Sequence, residues 1–349
     1  MCGAALAGAS FGAGPSFARA ELEQLSGFPS MLRGASSVER YPVEGAKQVL
    51  VHVRQAHENP IFQALTQGQS NASPRAVACH ENIRALLHDL EAQYPCRSMF
   101  VEGVARDGIA ETREGVRQLS EMLRINDRAR HQVDAFKANL RGKQPTSEQA
   151  GLLQAMGQAV AAEDLRYAQL CANLDAQSLS LSSAYQVAAK HNIEILSPDT
   201  PETEKFLKEY FRPVEQLSAL NQKVADAKAE ASKLIQAVEA SGTRKPEEML
   251  AVSQKIESLS KMILAASEEK KQLVQRVERS QQGADAKIFD LREDAVLSLM
   301  KERPIAGDKP EPILVLFGAA HDFRDNVARF NKQNPSRPIS LIVVTPQGL

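Results

Sequence analysis

The sequence predicts an α/β domain: a central, mostly buried sheet of about five short strands flanked by many helices, with an inserted antiparallel helical hairpin. Three observations predict it. Short runs of branched apolar residues occur five times along the chain. Long helical stretches separate most of them, the alternation that buries a sheet between helical layers. Residues 213–282 carry a narrow seven-residue apolar seam unlike the broader stripe of a helix packed on a sheet.

Taken in order, residues 1–44 read as a flexible tail punctuated by Gly, Ser and Pro, and 45–349 as a single domain. The predicted strands are Val49–Val53, Ser98–Glu102, Ile193–Leu196, Ile313–Phe317 and Ile339–Val344. Helices are expected over Ser73–Ala92, Thr112–Leu140, Ser147–Leu174 and Ser180–His191, and in the stretch DLREDAVLSLM (Asp290–Met300). In the insertion, Leu217, Val224, Ala231 and Val238 recur every seven residues, and a second register follows at Met249, Ile256 and Ile263. Gly242 fits a helix stop and Pro246 a first-turn position. Two seams joined by a short turn describe two antiparallel arms, each ~40 Å long at 1.5 Å per residue.

Composition narrows the function classes. The 349 residues include 42 Lys+Arg against 43 Asp+Glu, which argues against a nucleic-acid partner, and the absence of Trp removes the best base-stacking side chain. The four cysteines, Cys2, Cys79, Cys96 and Cys171, are widely spaced and predict reduced thiols. No apolar run approaches the ~20 residues of a membrane span. The small-residue start MCGAALAGAS lacks a basic segment and points to a cytoplasmic rather than a secreted chain; the alternative is a lipoprotein start at Cys2 after removal of a leader.

The chemistry-bearing residues sit at strand ends. QVLVHVRQAHENP (Gln48–Pro60) and PILVLFGAAHDF (Pro312–Phe323) both run from apolar strand to histidine, His57 and His321. The strand SMFV is followed directly by Glu102, and Asp199 follows the third strand. Ligands of open α/β sheets bind beyond the carboxyl ends of the strands. Two histidines and a carboxylate converging there can hold a divalent metal such as Zn, Mn, Co or Fe, whose bound water is a hydrolytic nucleophile. His57, Glu102 and His321 are the expected ligands. His52, an odd number of residues from His57, is expected on the opposite face. His88, His131 and His191 read as surface or packing residues.

These residues resemble the superfamily that joins TraB/TIKI proteins, ChaN-like proteins and erythromycin esterases. Gly318-Ala319-Ala320-His321 matches its second G-x-x-H motif, and HENP (His57–Pro60) is similar to the H-D-N-P of ChaN-like members. Val101–Gly103, Ser197–Asp199 and Leu291–Met300 match its Glu, Asp and Arg positions. The resemblance covers both ends of the chain but neither the tail nor the hairpin. It implies a pocket with Glu102, His57, His321 and Arg292 as catalytic residues and Gln55, Asn59, Asp199 and Gly318 as binding residues. The first motif departs from the family: Arg54 replaces its Gly, and Gln55 stands where a possible general base is often found.

Three readings remain open. The first is a hydrolase that cleaves an ester or peptide bond with a water activated by metal or by Glu102, while Arg292 and a histidine stabilise the oxyanion. The second is a protein that binds haem, iron or another small ligand without turnover, as the ChaN-like branch suggests. The third is an interaction protein whose hairpin, residues 213–282, recruits a protein partner or a second copy.

Overall fold

All five apolar runs form strands in a computed structural model of the protein, and a sixth strand joins them. The structure describes residue 25 and residues 27–56, 74–240, 246–281, 284–305 and 311–349. Its elements are β1 (Ala35–Tyr41), β2 (Gln48–Gln55), α1 (Pro74–Gln93), β3 (Ser98–Val101), α2 (Ile109–Asn139), α3 (Ser147–Gln177) and α4 (Leu179–His191). There follow β4 (Glu194–Leu196), α5 (Pro201–Ala240), α6 (Pro246–Gln281), α7 (Ala284–Glu302), β5 (Glu311–Gly318), α8 (Phe323–Gln333) and β6 (Ile339–Pro346).

The sheet order is β1-β6-β2-β5-β3-β4. Only β1 runs antiparallel to its neighbour; β6, β2, β5, β3 and β4 are parallel. The β1 segment was expected to belong to the flexible tail. It is instead an edge strand, paired from Ala35 against Pro346 to Tyr41 against Leu341. Cys2 lies outside the described residues, and so do Gly242–Lys245.

The parallel strands are buried on both sides, which is why they read as continuous apolar runs. Val49, Val51 and Val53 of β2 face one layer with Met99 and Val101 of β3 and Leu314 and Leu316 of β5. That layer is closed by Ile83, Leu86, Leu87 and Leu90 of α1 and by Val187 and Ala188 of α4. Leu50, Phe100, Val315 and Phe317 face the other layer, closed by Val296, Leu297 and Met300 of α7 and by Phe323 and Val327 of α8. Each fully buried side chain of this size stabilises the fold by about 1.5–3 kcal/mol.

Connectivity matters more than composition for locating a site. The connections β2→β3 and β3→β4 carry helices of the first layer, while β4→β5 and β5→β6 carry helices of the second. The chain therefore leaves the carboxyl end of β5 on one face and leaves its neighbours β2 and β3 on the other. Both flanks of β5 are topological switch points, where an open sheet leaves a crevice for ligand.

Local signals explain several boundaries. Thr146 and Gln149 make a reciprocal capping box at the start of α3. Ser178 caps α4, which ends at Asn192 in the left-handed conformation (φ 56°). One boundary differs from expectation. Pro213 was placed at the start of a helical arm, but α5 begins at Pro201 and runs through it. Proline costs a backbone hydrogen bond there, and burial of Val214 and Leu217 against Leu273 of α6 offsets it. Further along, Glu230 pairs with Lys255 at 3.2 Å. No described helix is long and apolar enough to cross a membrane.

Candidate functional site

The site is built at the carboxyl ends of β3, β4 and β5. Glu102 follows the last residue of β3, and its backbone N–H donates to the Leu316 carbonyl at 3.0 Å. Strand alternation then places its side chain on the face of Phe100 and Phe317. The chain turns away at Gly103, whose φ of 89° suits a residue without Cβ. On β5 the strand ends at Gly318, and the His321 N–H donates back to the Gly318 carbonyl at 3.0 Å. That tight turn folds the imidazole over the strand ends. Asp322 then caps α8.

Beyond β4, Ser197 Oγ donates to the Val104 carbonyl at 2.8 Å and accepts from the Asp199 N–H at 3.3 Å. This loop fixes Asp199 just before α5. Helix α7 supplies the counter-charge. Its apolar stripe Val296, Leu297 and Met300 is buried on the sheet, so the preceding turn brings Arg292 and Glu293 over the strand ends.

These groups form one connected network. Arg292 Nη1 donates to Glu102 Oε1 at 2.6 Å, and Arg292 Nε donates to Asp199 Oδ1 at 3.2 Å. The second Glu102 oxygen accepts from the Gly318 N–H at 2.7 Å. Glu293 Oε1 accepts from His321 Nδ1 at 2.9 Å and from the Asp322 N–H at 3.0 Å. A carboxylate can only accept, so Glu293 places the proton on Nδ1 and turns Nε2 toward Glu102. The Nε2 to Glu102 Oε1 separation is 3.5 Å, an ion-pair contact outside hydrogen-bond geometry. The guanidinium of Arg292 also lies 5.2 Å from the centre of the Phe317 ring.

Burial pushes the His321 pKa down, but Glu102 and Glu293 outweigh it and hold it above the usual imidazole value. Burial raises the Asp199 carboxyl, and Arg292 only partly opposes this. The side chain of Glu102 is 17 % exposed and that of His321 1 %, so the carboxylate is the part of the pair that meets solvent. Grooves beside Arg113 and Ile193 and beside Met31 and Asn82 lie away from this cluster.

Of the residues singled out from the sequence, Glu102, Arg292, Asp199, His321 and Gly318 are brought together. His57 and Asn59 lie outside the described residues. Gln55 is level with Gly318, and its carbonyl accepts from the Ala319 N–H. Its side chain, however, alternates to the face opposite Glu102. Arg292 was expected to stabilise an oxyanion; two of its nitrogens donate to Glu102 and Asp199. Of the expected metal set, Glu102 and His321 meet, while His57 lies outside the described residues. Among the described residues no group of three or more His, Cys, Asp or Glu is placed to hold a metal. Both Glu102 oxygens are engaged by a guanidinium and an amide.

Two residues escaped the sequence reading. Glu293 was visible beside Arg292, but only its hydrogen bond to His321 gives it a role. His52 is fully buried in the middle of β2, on the face of Leu50, with its ring 5.0 Å from that of Phe323. Desolvation, then His321 and Arg54, lower its pKa to about 3, and the Phe317 backbone and Glu102 offset only part of this. Comparison with known proteins gives no match: no family model, no curated protein and no solved structure is significantly similar to this chain.

Proposed function

We propose that this protein is a hydrolase-like enzyme that uses Glu102 as a general base on water, with His321 and Glu293 as its proton-relay pair, acting on an ester or peptide bond. The observation that carries the reading is the placement of Glu102. It is the partly exposed member of a buried charge network, held at a switch point from two sides and faced by a histidine whose tautomer a second carboxylate sets. In this reading water loses its proton to Glu102 as it attacks the carbonyl, and His321 relays that proton to the leaving group. Arg292 and Asp199 hold Glu102 in place. The motif resemblance to the TraB/TIKI, ChaN-like and erythromycin esterase superfamily supports the same reaction class, and its metal-dependent form is not part of the proposal.

The test is turnover of a panel of simple esters and short peptides by purified full-length protein, beside Glu102→Gln. That amide still accepts from Gly318 N–H but cannot take a proton at neutral pH. Loss of general-base catalysis is worth roughly 10²- to 10⁴-fold in rate. Turnover in E102Q within a few-fold of wild type would sink the proposal.

Binding without turnover is the second reading, favoured by the fact that both Glu102 oxygens already have partners. Haem or iron belongs to this reading, and an absorbance band copurifying with the protein is its test.

We further infer that α5 and α6 form an antiparallel hairpin inserted in the domain, used for a protein partner or a second copy. Its support is the pairing of the start of α5 with the end of α6 at Val214, Leu217 and Leu273, followed by Glu230 with Lys255. The same cluster ties the base of the pair together. Replacing residues 221–269 by about four Gly/Ser residues, enough to cross ~10 Å between helix axes, is expected to leave a cooperatively melting protein. Loss of the cooperative melt would assign the distal arms to the main core.

A further inference from the structure

We propose that the end of β2 recognises an oxyanion on the ligand of this site, a carboxylate or a phosphate, with Arg54 as its charge partner; this rests on the reading that ligand binds at the strand ends. Arg54 is the penultimate residue of β2 and is partly buried. Its Nε is buried without a hydrogen-bond partner, and the guanidinium has no ion pair among the described residues.

The described acids nearby are spoken for. Glu102 is held by Arg292 and the Gly318 amide, and Glu293 by His321 and the Asp322 amide. Asp322 feels Arg54, yet its oxygens are taken by Arg324, with Nε at 2.8 Å from Oδ1. A guanidinium is a planar fork suited to donating two parallel hydrogen bonds to a carboxylate or phosphate, and here that fork has no ion pair with an anion among the described residues.

The position of Arg54 points the same way. It stands at the carboxyl end of β2, at the β2/β5 switch point, on the face that carries Glu102, whereas Gln55 alternates to the other face and takes no part.

Register sets the distance to the chemistry. Arg54 is level with Phe317 on β5, and the Glu102 N–H bonds the neighbouring Leu316 carbonyl, so Arg54 and Glu102 lie two strands apart on one face. At about 4.8 Å per strand that is roughly 10 Å. The proposed substrate therefore carries its negative group a few bonds away from the bond that Glu102 addresses.

The experiment is thermal melting of the full-length protein titrated with inorganic phosphate or with succinate, at ionic strength held constant with sodium chloride. Wild type is expected to show a saturable rise in melting temperature with one of the two, which identifies the oxyanion. Arg54→Gln should weaken the apparent affinity at least about tenfold, the loss expected for one charge-assisted hydrogen bond, and Arg54→Lys should keep part of it. An equal rise in R54Q, or no saturable rise with either anion in wild type, overturns the proposal. Glu102→Gln should retain the anion response, so loss of turnover there and loss of binding in R54Q separate this inference from the hydrolase reading.

Discussion

Replacing Arg292 with methionine is expected to destabilise the protein by about 3–5 kcal/mol, the cost of removing one partner from a buried ion pair. Arg292 lies between two carboxylates of low exposure, at 2.6 Å from Glu102 and 3.2 Å from Asp199. Methionine fills much of the same volume, so the loss is electrostatic rather than a cavity. Asp199 escapes part of the penalty by taking up a proton, since burial already raises its pKa. Among the described contacts, Glu102 keeps the Gly318 amide and the looser His321 contact. Arg292→Lys should recover part of the loss, because an ammonium keeps the charge but cannot span both carboxylates with a planar fork. The triple variant carrying R292M, D199N and E102Q should be more stable than R292M alone, since it leaves no uncompensated charge. Urea unfolding of the three variants at neutral pH measures this. An R292M protein within about 1 kcal/mol of wild type, the range of an exposed pair, would show that the network does not hold the strand ends together.

The parts of this structure that were legible in the sequence are those where burial alone dictates residue type. β2, β5 and β6 are apolar on both faces and could be read within a residue or two of their ends. β1 was not legible for the converse reason. ASSVERY has no apolar run; its residues are half-buried or exposed, and Glu39 and Arg40 are the charges an edge strand carries. Its partner, β6, lies some three hundred residues away in the sequence, so no local pattern could announce the pairing.

The site divides along the same line. Glu102 and His321 stood out because a polar residue directly after a buried strand is unusual wherever the strand goes. Which polar residues share a face depends on register between strands, and sequence does not contain it. Alternation set His52 apart from His57, which lies outside the described residues. The pairing of β2, β5 and β3 sets Leu50, Phe100 and Phe317 together, and His52 and Glu102 go with them. Glu293 raised a different difficulty. Adjacent helix residues diverge by about 100°, yet Arg292 and Glu293 are both buried, at 7 % and 2 % exposure, because the network draws on α7 from two sides.

His52 carries the second large effect, and it appears as acid sensitivity. In the folded protein the imidazole titrates at about 3 against an ordinary 6.5. The unfolded chain therefore takes up a proton on this residue between those values while the folded chain does not. Stability falls as pH drops from about 6.5 toward 3, by on the order of 4–5 kcal/mol at most, at 1.36 kcal/mol per pKa unit. Asp199 works with the opposite sign: its folded pKa is raised, which favours the folded state as pH falls through that value. The His52 contribution is isolated by comparing wild type with His52→Leu, which has similar volume and no titrating group. Neither imidazole nitrogen has a hydrogen-bond partner within normal geometry among the described residues, so leucine forfeits no such bond. H52L is expected to match or exceed wild-type stability at pH 7 and to pull ahead steadily below pH 6.5. Denaturant unfolding at a series of pH values from 7 to 4 measures the difference. Parallel curves for the two proteins would mean that His52 is charged in the fold, with a partner for its proton, and the neutral histidine at the centre of β2 would have to be abandoned.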